Sequence, residues 1–195
     1  MFIIDDEFLT TEEVQEVKDR ILDENTPWIL TRELVSRDFE FKVDIPKYKG
    51  SQFNHILYIG GKPRSELYDM ALEALLTFTR KHRIQVYGIT RCKLNMTFPD
   101  ASSEVEDTQA PHVDHGWPHY VFLYYVNDSD GDTILYNEEY SKNDFKELSE
   151  NKRVSPKAGR AVLFDGLDYH SPLAPTSGYR IVINLTFVGG PDEDL

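Results

Sequence analysis

From residue 84 to the end, the chain is a succession of short segments rich in β-branched and aromatic residues. RCKLNMTF (91–98), YVFLYYVN (120–127), TILY (133–136), RAVLF (160–164) and YRIVINLTFV (179–188) are separated by the turn-forming stretches NDSDGD (127–132), SPKAG (155–159) and APTSG (174–178). In the first segment Cys92, Leu94, Met96 and Phe98 alternate with Arg91, Lys93, Asn95 and Thr97, the period of a strand with two different faces. So many short strands close into a barrel or sandwich, because an open sheet of this kind leaves edges and one apolar face uncovered. The residues before 84 read differently. Thr10 and Glu13 form a capping box, Leu9 and Val14 a hydrophobic staple, and Val14, Val17 and Ile21 one apolar face of a helix reaching about Asn25 before Pro27. A second helix is expected from about Pro63 to His82, with Leu67, Met70, Ala71, Ala74, Leu75 and Phe78 on one stripe and RKHR at its C-terminal end. SQFNHILYIGG (51–61) reads as an extra strand beside the barrel, with His55 packed or solvated, and SKNDFKELSENK (141–152) as a short inserted helix. The expected architecture is one domain over 1–195, mainly β, with a helical buttress at about 1–83 and a barrel or sandwich at about 84–190.

Composition excludes several function classes. A net charge of −13 argues against a nucleic-acid backbone as the main partner, because neutralising phosphates takes basic surface. No run of about 18 apolar residues offers a membrane span. The start, MFIIDDEFL, lacks the basic region of a signal peptide, and Cys92 is the only cysteine, so a reducing cytoplasm is the expected setting. Cys92 itself reads as a small apolar strand residue.

The chemistry concentrates in APHVDHGWPHY (110–120), which holds three of the six histidines. On a strand, residues i and i+2 share a face, so His112 and Asp114 can converge while His115 points away. One imidazole and one carboxylate make an incomplete metal site. His170, in the turn-rich stretch after RAVLF, is the best candidate for the third ligand, and two histidines with one carboxylate match the facial triad of non-haem Fe(II). The His112-x-x-His115 and His115-x-x-x-His119 spacings suit zinc on a helix, which Gly116 and Pro118 disfavour, and a single cysteine excludes the common structural zinc sites. His115 and His119 are expected in a solvated surface loop.

In order, His112-Val113-Asp114, LYYVN (123–127), Gly131-Asp132-Thr133, VSPKAGRAVLF (154–164), His170 and Arg180 resemble the 2-oxoglutarate-dependent Fe(II) oxygenases, in their prolyl 4-hydroxylase-like branch. The distal histidine follows Asp114 by 56 residues and Arg180 follows it by ten, and FLTTEEV resembles that branch's N-terminal helix. The resemblance implies a double-stranded β-helix, the jelly roll of cupins, with His112, Asp114 and His170 on Fe(II) at its open end. It implies 2-oxoglutarate as cosubstrate, with its 5-carboxylate on Arg180, Tyr125 as a second contact and Thr133 lining the pocket; ascorbate is a candidate reductant. Ordinary core packing for Tyr125 and a solvated strand position for Arg180 are the alternatives. The reaction implied is O2-dependent hydroxylation of a C–H bond in a protein side chain or a free amino acid, with release of succinate and CO2. A cupin-like metal protein without oxygenase activity, or a jelly-roll interaction module, are the competing classes.

The sequence departs from that family pattern in three places. Gly131-Asp132 stands for the usual Gly-Gly, Phe98 for a tyrosine near the end of the preceding strand, and Arg180 for the lysine frequent in prolyl 4-hydroxylases, which weakens proline as the target. The acidic stretch 99–111 is expected to be a flap over the substrate, with Trp117 in the cleft wall, and its carboxylates favour a cationic or peptide substrate.

Overall fold

A computed structural model of the protein describes residues 1–31, 52–99, 111–140 and 147–192. The alternating segments form two antiparallel sheets. The large one contains β1 (Phe2–Asp5), β2 (Ile29–Thr31), β3 (Gln52–Ile59), β4 (Lys62–Pro63), β5 (Ile84–Thr97), β6 (Tyr120–Tyr125), β9 (Ala161–Asp165) and β11 (Arg180–Pro191), running β1-β9-β6-β11-β5-β3-β2 with β4 on β3. The small one is β7 (Thr133–Glu139), β8 (Glu150–Val154) and β10 (Asp168–Pro172), in the order β10-β7-β8. This is the two-sheet jelly roll expected, and among the described residues two helices, α1 (Thr11–Ile21) and α2 (Leu67–Lys81), lie against the outer face of the large sheet.

Strand alternation divides the core. On β6, Phe122 and Tyr124 point to the helices, where Phe8, Phe78 and Phe122 meet edge to face at 5.3–6.3 Å. Val121, Leu123 and Tyr125 point inward, onto Leu135 and Val154 of the small sheet and Val162 and Val182 of their own. Each edge-to-face ring pair adds about 0.5–1.5 kcal/mol beyond its buried area. Tyr124 and Tyr125 therefore belong to different layers, and only Tyr125 lies between the sheets.

The capping box forms as read: the Thr10 hydroxyl accepts from the Glu13 amide at 3.3 Å, and the Glu13 carboxylate accepts from the Thr10 amide at 2.7 Å. The helix ends at Ile21 rather than near Asn25, because the Asp23 carboxylate captures the Asn25 amide in a local turn at 2.8 Å. The second helix begins at Leu67, not Pro63. Gly60 and Gly61, with φ of 62° and 76°, turn β3 back into the two-residue β4, where Pro63 faces Tyr58. The SQFNHILYIGG segment supplies β3 alongside β5, and His55 is packed there, its Nδ1 2.6 Å from the Pro27 carbonyl. Of the helix expected over 141–152, residues 141–146 lie outside the described residues, and 150–152 belong to strand β8, which zips against β7 with Val154 opposite Thr133. The sequence reading also missed β1, which pairs with β9 and is tied to the end of α2 by Asp5, 2.8 Å from Lys81 Nζ and 2.7 Å from His82 Nε2. No helix among the described residues is long and apolar enough to cross a membrane.

Candidate metal centre and anion cavity

Two backbone hydrogen bonds of 3.0 Å join His112 to His170, so the segment carrying His112-Val113-Asp114 pairs with β10 at one point. The bridge sets the imidazoles side by side, with ring centroids 4.6 Å apart. Alternation sends Val113 the other way, against Tyr169, and brings Asp114 back to the histidines. The ligand atoms of His112, Asp114 and His170 all lie within 4.8 Å of one another. Metal–ligand bonds of about 2.0–2.2 Å put two ligands of one ion at most about 4.4 Å apart, so the group closes on an ion with small side-chain rotations.

The electrostatics suit a cation. The Arg91 guanidinium takes Asp114 Oδ1, leaving Oδ2, which is 3.9 Å from His170 Nε2 and 3.4 Å from the Asn184 amide. Burial alone raises the Asp114 carboxyl, but the Arg91 guanidinium, with Lys93 behind it, holds it well below the ordinary range. His170 shifts downward through burial, against the pull of Asp114, and remains a neutral imidazole. Its Nδ1 faces the Asp168 carbonyl at 3.2 Å and so carries the proton, which leaves the Nε2 lone pair toward the centre.

A cavity partly open to solvent runs from His112 and His170 to Arg180. Arg180 starts β11 opposite Thr97 of β5 and is 3% exposed. Its Nη2 donates to the Thr133 hydroxyl at 2.7 Å, which also accepts from the Tyr125 hydroxyl at 2.7 Å. Burial lowers the Arg180 guanidinium below its usual range, yet among the described residues no carboxylate pairs with it. Its Nε, the Thr97 hydroxyl and the Asn95 side-chain oxygen Oδ1 are buried with no hydrogen-bond partner among the described residues, and all three residues line the cavity. Orphaned buried polar atoms are costly, and a guanidinium lacking a counter-ion beside orphaned groups fits a carboxylate ligand.

Several expectations change here. His119 is buried, not solvated, with its Nδ1 2.7 Å from the Trp117 carbonyl. Its ring fills the space above Gly166, where an added Cβ would sit 2.2 Å from Nε2. His115 is held between the Thr186 hydroxyl, at 3.2 Å, and the stacked Trp117 ring, at 4.7 Å, and burial pushes its imidazole down to about 4. Trp117 thus covers His115 and does not line this cavity. Phe98 points away from the cavity onto Phe53, and Thr97 takes the inward position at the end of β5. Gly131 serves close packing, since an added Cβ would lie 2.7 Å from the Leu173 carbonyl and 3.2 Å from Arg180 Cδ. The flap expected over 99–111 falls, between 100 and 110, outside the described residues.

No protein-family model and no curated protein sequence matches the chain. Solved structures do. A prolyl 4-hydroxylase from Pseudomonas putida aligns with a TM-score of 0.60 at 14% identity, over 95% of this chain and 91% of its own. The fold is that of the 2-oxoglutarate/Fe(II) oxygenases. An oxidoreductase of the 2OG-Fe(II) oxygenase family from Burkholderia pseudomallei aligns at 0.62 and 10% identity, over 98% and 87%. A Trichoplax adhaerens prolyl hydroxylase, solved in complex with a peptide fragment of hypoxia inducible factor, aligns at 0.57 and 18% identity, over 95% and 82%. The likeness in fold to these oxygenases thus extends over nearly the whole chain.

Proposed function

We propose that the protein is an Fe(II)- and 2-oxoglutarate-dependent dioxygenase that hydroxylates a C–H bond of a protein side chain or a free amino acid. One observation carries this: Arg180 is a buried cation that no carboxylate among the described residues pairs with, in the same cavity as His112 and His170, in an oxygenase fold. His112, Asp114 and His170 hold the ion. Arg180 takes the 5-carboxylate of 2-oxoglutarate through its fork, with Tyr125 and Thr133 fixing its orientation and the Thr97 hydroxyl free to donate. When bound, Fe(II) supplies the O2 chemistry that couples conversion of 2-oxoglutarate to succinate and CO2 with insertion of one oxygen atom into the substrate. The residues contribute geometry. Arg91 keeps Asp114 ionised and occupies one of its oxygens, and the Asp168 carbonyl fixes the His170 tautomer. Ascorbate is the proposed reductant for ion oxidised in unproductive cycles, and the proposed setting is the cytoplasm.

The test is calorimetric titration of 2-oxoglutarate into protein loaded with Mn(II), which does not turn over. Arg180→Met removes a charge-assisted contact of about 1.5–3 kcal/mol and weakens binding by roughly 10- to 150-fold. Binding of Mn(II) without binding of 2-oxoglutarate overturns the proposal in favour of a cupin-like metal protein.

A further inference from the structure

The inner row of β5 carries a second cation, Lys93, that neither holds the ion nor faces the Arg180 end of the cavity. Lys93 lies two residues from Arg91 and four from Thr97 on the same face of the strand, opposite Asn184 of β11 and Ile56 of β3. It lines the cavity together with His112, His170 and Arg180. Its neighbour across the strands, Asn184, hydrogen-bonds both Arg91 and Asp114, so Lys93 stands at the metal end. At about 3.3 Å per residue, its backbone is about 13 Å from that of Thr97, at the Arg180 end. Among the described residues Lys93 makes no ion pair or hydrogen bond, although Asp114 attracts it at longer range. Burial, followed by repulsion from Arg91, pushes its ammonium down to about 8, which leaves it mostly charged at neutral pH.

Charge balance says what such a residue is for. Of the residues lining the cavity, the charged ones are Lys93 and Arg180, both positive, in a chain whose net charge is −13. Asp114 is already matched by Arg91. With a divalent ion at the triad, the two carboxylates of 2-oxoglutarate do not neutralise the set, and a partly buried ammonium with no partner among the described residues is unfavourable there. We propose that Lys93 binds a carboxylate of the substrate at the metal end of the cavity, so that the substrate is an acid, a free amino acid rather than an internal residue of a protein. This reading rests on the proposed dioxygenase function and selects within it. It also reverses the polarity expected from the acidic stretch before His112.

The test uses the full chain loaded with Mn(II) and saturated with 2-oxoglutarate. Free L-amino acids and their carboxamides are the probes, and binding is read by calorimetry rather than by turnover. The expected result is an acid that binds at least tenfold more tightly than its amide. Lys93→Met reduces that ratio to within threefold and Lys93→Arg preserves it. Lys93→Met removes a cation that no described residue pairs with, so its thermal midpoint without ligand equals or exceeds that of the parent. The inference is overturned if no amino acid binds, if acid and amide bind alike, or if Lys93→Met leaves the ratio intact. A tenfold loss of 2-oxoglutarate affinity in Lys93→Met, with the acid-to-amide ratio unchanged, assigns the carboxylate to the cosubstrate and overturns the substrate assignment. If the parent protein takes up neither Mn(II) nor 2-oxoglutarate, the dioxygenase reading itself fails and this inference falls with it.

Discussion

Arg91 and Asp114 form a buried ion pair, and each depends on the other. Asp114 is 8% exposed as a residue, and the pair's side chains are 18% and 4% exposed, so removing one partner leaves the other's charge in a poor solvent. Breaking a buried pair costs about 3–5 kcal/mol, and the partial exposure of Arg91 puts both single variants near the lower end, at about 3 kcal/mol. For a chain of this size, 1 kcal/mol shifts the thermal midpoint by roughly 2–4 °C, so Arg91→Met and Asp114→Asn each lower it by roughly 6–12 °C in the metal-free protein. The double variant buries neither charge. It is expected to lose about 2–3 kcal/mol less than the sum of the singles, within the range of coupling seen for residues in contact. The assay is urea unfolding of all four proteins in a chelator, followed by circular dichroism. Additivity within about 0.5 kcal/mol refutes the claim that Asp114 is ionised and held by Arg91 before any metal arrives.

The ring of His119 occupies the place of a side chain at Gly166, so Gly166→Ala must displace it, at about 1–3 kcal/mol of stability by urea unfolding; an unchanged midpoint refutes that packing. Asp6 receives two hydrogen bonds from Arg160, at 2.7 and 2.9 Å, and one from Lys157, which together outweigh burial and lower its carboxyl from 3.8 to about 2. A lowered folded value means stability that is present above pH 3.8 and lost as pH falls toward 2. Discounted for its partial exposure, Asp6→Asn costs about 1–2 kcal/mol at pH 7 and little at pH 2, and an equal cost at both refutes the pairing.

Much of this was legible because local signals and tertiary demands agree. The i, i+2 rule placed His112 and Asp114 together, and β-branched and aromatic runs marked most of the strands from 84 onward. The elements misread are those whose cause lies elsewhere in the chain. β1 is a strand because β9 offers an edge, and β8 because β7 does, while the short run ENKRV carries little strand signal of its own. His119 looked solvated because nothing near it in sequence shows the bare backbone of Gly166, 47 residues on. The roles of Arg91, Lys93, Asn95 and Thr97 were missed although a signal was available. A strand with neighbours on both edges and one apolar face buried has no reason to carry an all-polar opposite row, unless that row lines a cavity.

The most direct test of the account is the visible absorption spectrum of the metal-free protein under anaerobic conditions, as Fe(II) and then 2-oxoglutarate are added. The expected result is a weak charge-transfer band that requires both additions, is abolished in Asp114→Ala, and needs far more 2-oxoglutarate in Arg180→Met. Fe(II) uptake with no band at any concentration of 2-oxoglutarate contradicts it.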